Sequence, residues 1–172
     1  MHPKDALLSF KEYNCAVIPF LFVLAMYLIV VGIWLIKEYE SINYNLIEFL
    51  FAAFYIVIRN WIHENIHDVT YRRAGATEVD TKWGLYGGYS YCLSEIKCGD
   101  YIKALYYPAL VSIPIFILGA FNNSVILLLL GLIIVSSSVG DFTAILLIKS
   151  KGIQSDELVI SVKGYLGCKY IE

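Results

Sequence analysis

From Ala16 to Ile36 the chain runs for 21 residues without a charged side chain. At ~1.5 Å per residue, a helix of that length reaches ~31 Å, about the thickness of a bilayer's hydrocarbon core. A chain with such a run folds either across a membrane or around an unusually large core. Composition decides between the two: 59% of the 172 residues are hydrophobic, only 16% are charged, and the mean hydropathy is +0.66. A water-soluble domain of this size needs far less apolar surface. The run is too long for the apolar part of a signal peptide and no small-x-small cleavage site follows it, so an uncleaved span is expected.

Three more stretches have the same character. Together they predict an all-α membrane protein with four transmembrane helices, at about 16–36, 46–67, 104–121 and 125–148. The reading is of a single integral membrane domain over residues 1–172, ending in a cytoplasmic tail at 149–172. Lys37 to Asn45 is a short polar link. Pro114 lies inside the third span and predicts a kink there. Between the second and third spans the composition turns to polar residues, glycines and tyrosines. Trp83 to Leu93 alternates large and small residues around Gly87-Gly88, which predicts a small β-hairpin on the cytoplasmic side. A second alternating patch, Leu158 to Val162, predicts a strand in the tail.

Net charge, at −2, says little, but its placement says more. With four spans, eleven basic residues (Lys4, Lys11, Arg72, Arg73, Lys82, Lys97, Lys103, Lys149, Lys151, Lys163 and Lys169) fall on one side and Lys37 alone on the other. The expected location is therefore the cell membrane, multi-pass, with both termini and the hairpin loop in the cytoplasm. The basic residues form no patch, which argues against a nucleic-acid partner. Cys92, Cys98 and Cys168 would face a reducing compartment, so no disulfide framework is expected, and for Cys92 and Cys98 a structural role is expected over metal binding.

The chemistry is concentrated in His63-Glu64-Asn65-Ile66-His67. Two of the chain's three histidines stand there one helical turn apart, so both rings reach the same point, with a carboxylate beside the first. That is half of a tetrahedral zinc site with a candidate base next to it. His63 lies ~25 Å into its span and Asp141 ~24 Å into the fourth, running in the same direction. A carboxylate in an apolar span needs a partner. Asp141 is the expected third ligand to a zinc ion held by His63 and His67. The residues alone also allow two other readings: a polar helix end entering water, and a pairing of Asp141 with Arg59. Arg59 and Asn60, one turn before His63 and Glu64, fit an anchoring role as well as a place in the site.

His63-Glu64-x-x-His67 near the end of one span, a glycine-rich loop, another span and then Gly140-Asp141 resemble the site-2 protease class. The resemblance is closest to the small membrane zincins related to it, and it covers about Leu46 to Ile148. Around the aspartate the chain reads Val139-Gly140-Asp141-Phe142, where that class has Leu-Asp-Gly or Asn-Pro-Asp-Gly. The resemblance implies an intramembrane zinc metalloprotease with His63, His67 and Asp141 as metal ligands and Glu64 as the catalytic residue. It implies a β element after the first motif that receives substrate. The activity expected is hydrolysis of a peptide bond in or next to a membrane-spanning substrate, with Glu64 activating a zinc-bound water. The expected partners are the lipid bilayer and a membrane-protein or membrane-associated peptide substrate. The rival expectation is a four-span interaction or accessory protein with a structural or non-proteolytic metal site. Oligomeric state has no signature in the chain.

Overall fold

The computed structural model describes residues 32, 46–84, 87–122, 124–163 and 167–171. Helix α1, Leu46–Arg73, is 28 residues long and carries the His-Glu-x-x-His motif. Its end is well specified. Arg72 and Arg73 sit in the last turn, where positive charge suits the helix dipole. Ala76 N–H then donates to the Tyr71 carbonyl and Gly75 N–H to that of Arg72, with Gly75 at φ 98°. This is the Schellman closure, which needs a left-handed residue just past the helix and finds a glycine there.

The chain reverses into an antiparallel pair, β1 (Val79–Gly84) and β2 (Gly87–Cys92), in register from Val79 opposite Cys92 to Gly84 opposite Gly87. β3 (Ile96–Lys97) leads directly into α2 (Cys98–Leu110). Then come α3 (Ser112–Phe121), α4 (Val125–Ser137) and α5 (Val139–Ser150). The tail supplies β4 (Leu158–Ser161) and β5 (Cys168–Ile171), which join β3 in a second antiparallel sheet of order β3-β4-β5. The break between α2 and α3 falls at Val111. Pro114 explains it, because its ring crowds the carbonyl four residues back, that of Leu110, and it has no N–H to offer.

Helix α1 packs on α2 and on both strands of the hairpin, while α3 packs on α4. Two apolar clusters result. Tyr71, Tyr101, Ile145, Ile148, Val159 and Cys168 meet where α1 ends against α2, α5 and the second sheet. Ala52, Tyr55, Ile115, Leu130 and Ile134 lie between α1, α3 and α4. Cys92, Cys98 and Cys168 are free and buried. Burial pushes the Cys168 thiol up to about 12, so it behaves as a small apolar side chain.

The all-α, four-transmembrane-helix architecture expected from the sequence is overturned. Two small antiparallel sheets are part of the fold, and among the described residues one helix, Cys98–Gly119, is long and apolar enough to cross a membrane. The expected span 16–36 lies outside the described residues apart from Gly32. The expected span 46–67 is helical but is not apolar enough as a unit: Arg59, Asn60, His63, Glu64 and His67 crowd its second half. The expected span 104–121 starts six residues earlier than read, at Cys98. The expected span 125–148 is bent by 41° between Ile134 and Val139 and counts as one crossing only if both pieces are taken together. Hydropathy averages apolar residues along the chain and registers neither a bend nor a polar face, which is why four uniform spans were read.

Candidate metal centre

His63 and His67 point to the same side of α1 because four residues make about one turn. Their Nε2 atoms are 3.2 Å apart. Asp141, in the first turn of α5, places Oδ2 3.2 Å from His63 Nε2 and Oδ1 3.4 Å from His67 Nε2. One donor atom from each of the three residues lies within 4.8 Å of the other two, and such a group could hold a metal ion. Asp141 faces the two histidines, which favours a shared site with them over the alternative pairing with Arg59.

The protons show what the cluster lacks. His67 Nδ1 is 3.1 Å from the Ala104 carbonyl oxygen. A carbonyl only accepts, so Nδ1 carries the hydrogen there. In a neutral ring, His67 Nε2 then presents a bare lone pair to the carboxylate of Asp141 and to the other imidazole. Asp141 Oδ2 is buried and has no hydrogen-bond partner, although His63 Nε2 is only 3.2 Å away. That contact is short but lacks hydrogen-bond geometry, which leaves the oxygen without a donor. Acceptors converging in a buried place need a cation between them. Zinc with tetrahedral bonds of ~2.0–2.1 Å separates neighbouring ligand atoms by roughly 3.3 Å, which matches the spacing found. The donor set of two imidazoles and one carboxylate fits that ion.

Glu64 is 7% exposed and His67 3% exposed, so these two residues of the motif are covered, while His63 is half-buried. The cover over Glu64 is the hairpin. Asn60 Nδ2 donates to the Gly84 carbonyl at 2.9 Å, fixing the end of β1 over the helix one turn before Glu64. Gly88 of β2 lies directly on the Glu64 side chain. Asp68 takes no part: it pairs with Arg72 at 3.1 Å and accepts from Thr81 Oγ1. On the far side, His67 stacks on Tyr71 (ring centres 6.0 Å apart) and Tyr71 on Tyr101 (5.6 Å). Tyr101 donates its hydroxyl hydrogen to the Gly167 carbonyl and accepts one from Ser161. The tail sheet is thereby joined to the metal-facing helix.

An open cleft of about 840 Å³ lies elsewhere between α1 and α2, lined by residues such as Trp61, Ile66, Val69, Arg73, Lys103 and Tyr107. It is lined by none of His63, Glu64, His67 or Asp141, so this cleft is not where the chemistry sits.

A pair of histidines, one buried and one half-buried, closed by an aspartate with a glutamate alongside, is the donor set of a zinc hydrolase. The chain belongs to the family described as "Putative zincin peptidase", whose model matches residues 56–154 and so spans the whole of this cluster. That membership supports a metallopeptidase, and a zincin implies zinc. No curated protein and no solved structure matches the chain.

Of the residues the sequence points to, the structure brings His63, His67 and Asp141 within 4.8 Å of one another and holds Glu64 buried in the same stretch of α1. The sequence leaves Asn60 undecided and puts Gly87-Gly88 in the middle of the hairpin, whereas both are residues of β2. The Ala104 carbonyl was invisible, since every residue carries one. The only signal that could have found it is Pro108, four residues on.

Proposed function

We propose that this protein is a membrane-associated zinc metallopeptidase that hydrolyses a peptide bond in or beside the membrane, in the manner of the site-2 protease class. The observation that carries the reading is the convergence of His67 Nε2, His63 Nε2 and an unsatisfied Asp141 Oδ2 on one buried point. His63, His67 and Asp141 would hold the metal. Zinc bound there supplies Lewis acidity toward a peptide carbonyl and makes a water molecule acidic enough to lose a proton near neutral pH. Glu64, one residue along the helix from His63, accepts that proton and returns it to the leaving amine.

Two observations support the membrane part. Cys98–Gly119 is long and apolar enough to cross a bilayer. Large apolar side chains also stand exposed on the first turns of α1 (Ile47, Leu50, Phe54, Val57) and on α3 (Ile117, Leu118, Phe121), more than a surface in water ordinarily shows. A substrate helix has its backbone bonds satisfied internally and must unwind before attack. Among the described residues the β1–β2 sheet has two strands, and apart from the Cys92 N–H, which Ser161 Oγ takes, their outer edges could pair with unwound substrate beside Glu64.

The test is cleavage of a panel of single-span peptides by the purified protein in lipid vesicles. Cleavage should stop with 1,10-phenanthroline and return with added zinc. Zinc bound at one per chain with no peptide cleaved would favour a non-proteolytic metal site, and no zinc bound would remove the enzyme reading altogether.

A further inference from the structure

An α-helix satisfies each carbonyl with the N–H four residues on. Pro108 lies inside α2 and has no N–H. The carbonyl it would have served is that of Ala104, and this is the oxygen that takes the hydrogen of His67 Nδ1, at 3.1 Å. Both Ala104 and Pro108 are buried, so water does not offer an alternative partner.

Pro108 does not end the helix. α2 continues past it to Leu110, and the break at Val111 is the one that Pro114 accounts for. What Pro108 does change is the supply of donors. With any other residue at 108, an N–H would draw the Ala104 carbonyl along the helix axis and share its lone pairs. His67 would then lose the acceptor that keeps its hydrogen on Nδ1 and its Nε2 bare.

We propose that Pro108 is a positioning residue for the metal centre: by withholding an N–H it reserves the Ala104 carbonyl for His67. Through that bond it sets which nitrogen of His67 faces Asp141 and His63. This rests on the reading of His67 as a metal ligand, but the bond itself can be examined without any metal. Outer-shell partners of this kind orient a ligating imidazole and raise its basicity, and losing one typically costs ~10–100-fold in metal affinity.

The experiment uses the full chain with ¹⁵N-labelled histidine, which gives a sparse spectrum because the chain has three histidines. In the metal-free wild type, the His67 Nδ1 resonance should be that of a protonated nitrogen. Pro108→Ala should move part of the proton population to Nε2 and weaken zinc binding about tenfold or more. The same alanine introduced as its α-hydroxy acid replaces the new N–H with an ester oxygen, and it should restore both readouts. Pro114→Ala also adds a helical donor, but toward Leu110, and should leave both unchanged. An unprotonated Nδ1 in the wild type overturns the proposal, whether or not any variant folds. Equal loss in the alanine and α-hydroxy variants also overturns it, because the ring's packing would then be the cause. A wild type with the expected Nδ1 proton but no affinity for zinc would sink the metallopeptidase reading and leave this bond standing.

Discussion

Gly88 rests on Glu64: a Cβ placed on Gly88 would stand 2.6 Å from Glu64 Cγ and 2.8 Å from the Lys82 carbonyl oxygen. Carbon atoms in contact keep roughly 3.5–4.0 Å apart, so no side chain fits there without displacing one of the two. The hairpin and the candidate base are therefore set against each other by the absence of a single methyl group.

The consequence can be measured with Gly88→Ala. The strand is held on its other side by the Lys82 carbonyl across the β1–β2 pair, so the carboxylate is the part that gives way. A shift of about 1 Å in a reacting group can cost ~10²-fold in rate. We expect kcat to fall by about that factor while zinc stays bound, since the atoms nearest the new methyl group belong to Glu64 and Lys82. Wild-type kcat in a folded variant would show that the position of Glu64 is not critical.

Asp141→Ala tests the third ligand. The variant removes the buried, unsatisfied Oδ2 together with the partner of both Nε2 atoms. It should bind zinc at least ~100-fold more weakly than wild type, since a direct ligand matters no less than an outer-shell partner. Metal analysis after dialysis against a weak chelator decides the point. Full occupancy would mean that the carboxylate only pairs with the histidines.

Much of this centre was legible in the chain because it depends on local periodicity. His63 and His67 must share a face if the segment is helical, and it is. Asp141 was placed level with them by counting residues along two spans assumed straight. The contact is real, at 3.2 Å, yet the second of those spans bends between Ile134 and Val139, so the count succeeded on an incomplete premise. What could not be read is what depends on distant partners. β3 is two residues long and exists because Ile96 and Lys97 meet Val159 and Leu158 of the tail. No pattern two residues long announces a strand. The polar half of α1 was absorbed into a hydropathy average, although Arg59 to His67 carries the site.

The membrane reading makes its own prediction. Cys98–Gly119 should hold the protein in the bilayer against alkaline carbonate, which strips proteins bound only at the surface. Recovery of the full chain in the pellet is expected. Its release into the supernatant would mean that the exposed apolar side chains of α1 and α3 meet a protein partner rather than lipid.

Glu64→Gln separates an enzyme from a metal-stabilised scaffold. Glu64 lies about 100° around the helix from His63, so it does not ligate the same ion alongside both histidines. It is buried against the hairpin and within one residue of a ligand, where a reacting water would also be confined. Glutamine matches its size and keeps its reach for hydrogen bonds but cannot accept the proton. The contact with Gly88 is preserved, so the variant should fold and bind zinc as wild type does. Cleavage of a single-span peptide should fall by ~10² or more, the usual effect of removing a general base. Zinc content measured on the same preparation guards against trivial loss of the metal. Equal rates for Glu64→Gln and wild type, with zinc present in both, would mean that the proton goes elsewhere and that Glu64 is a packing residue beneath the hairpin.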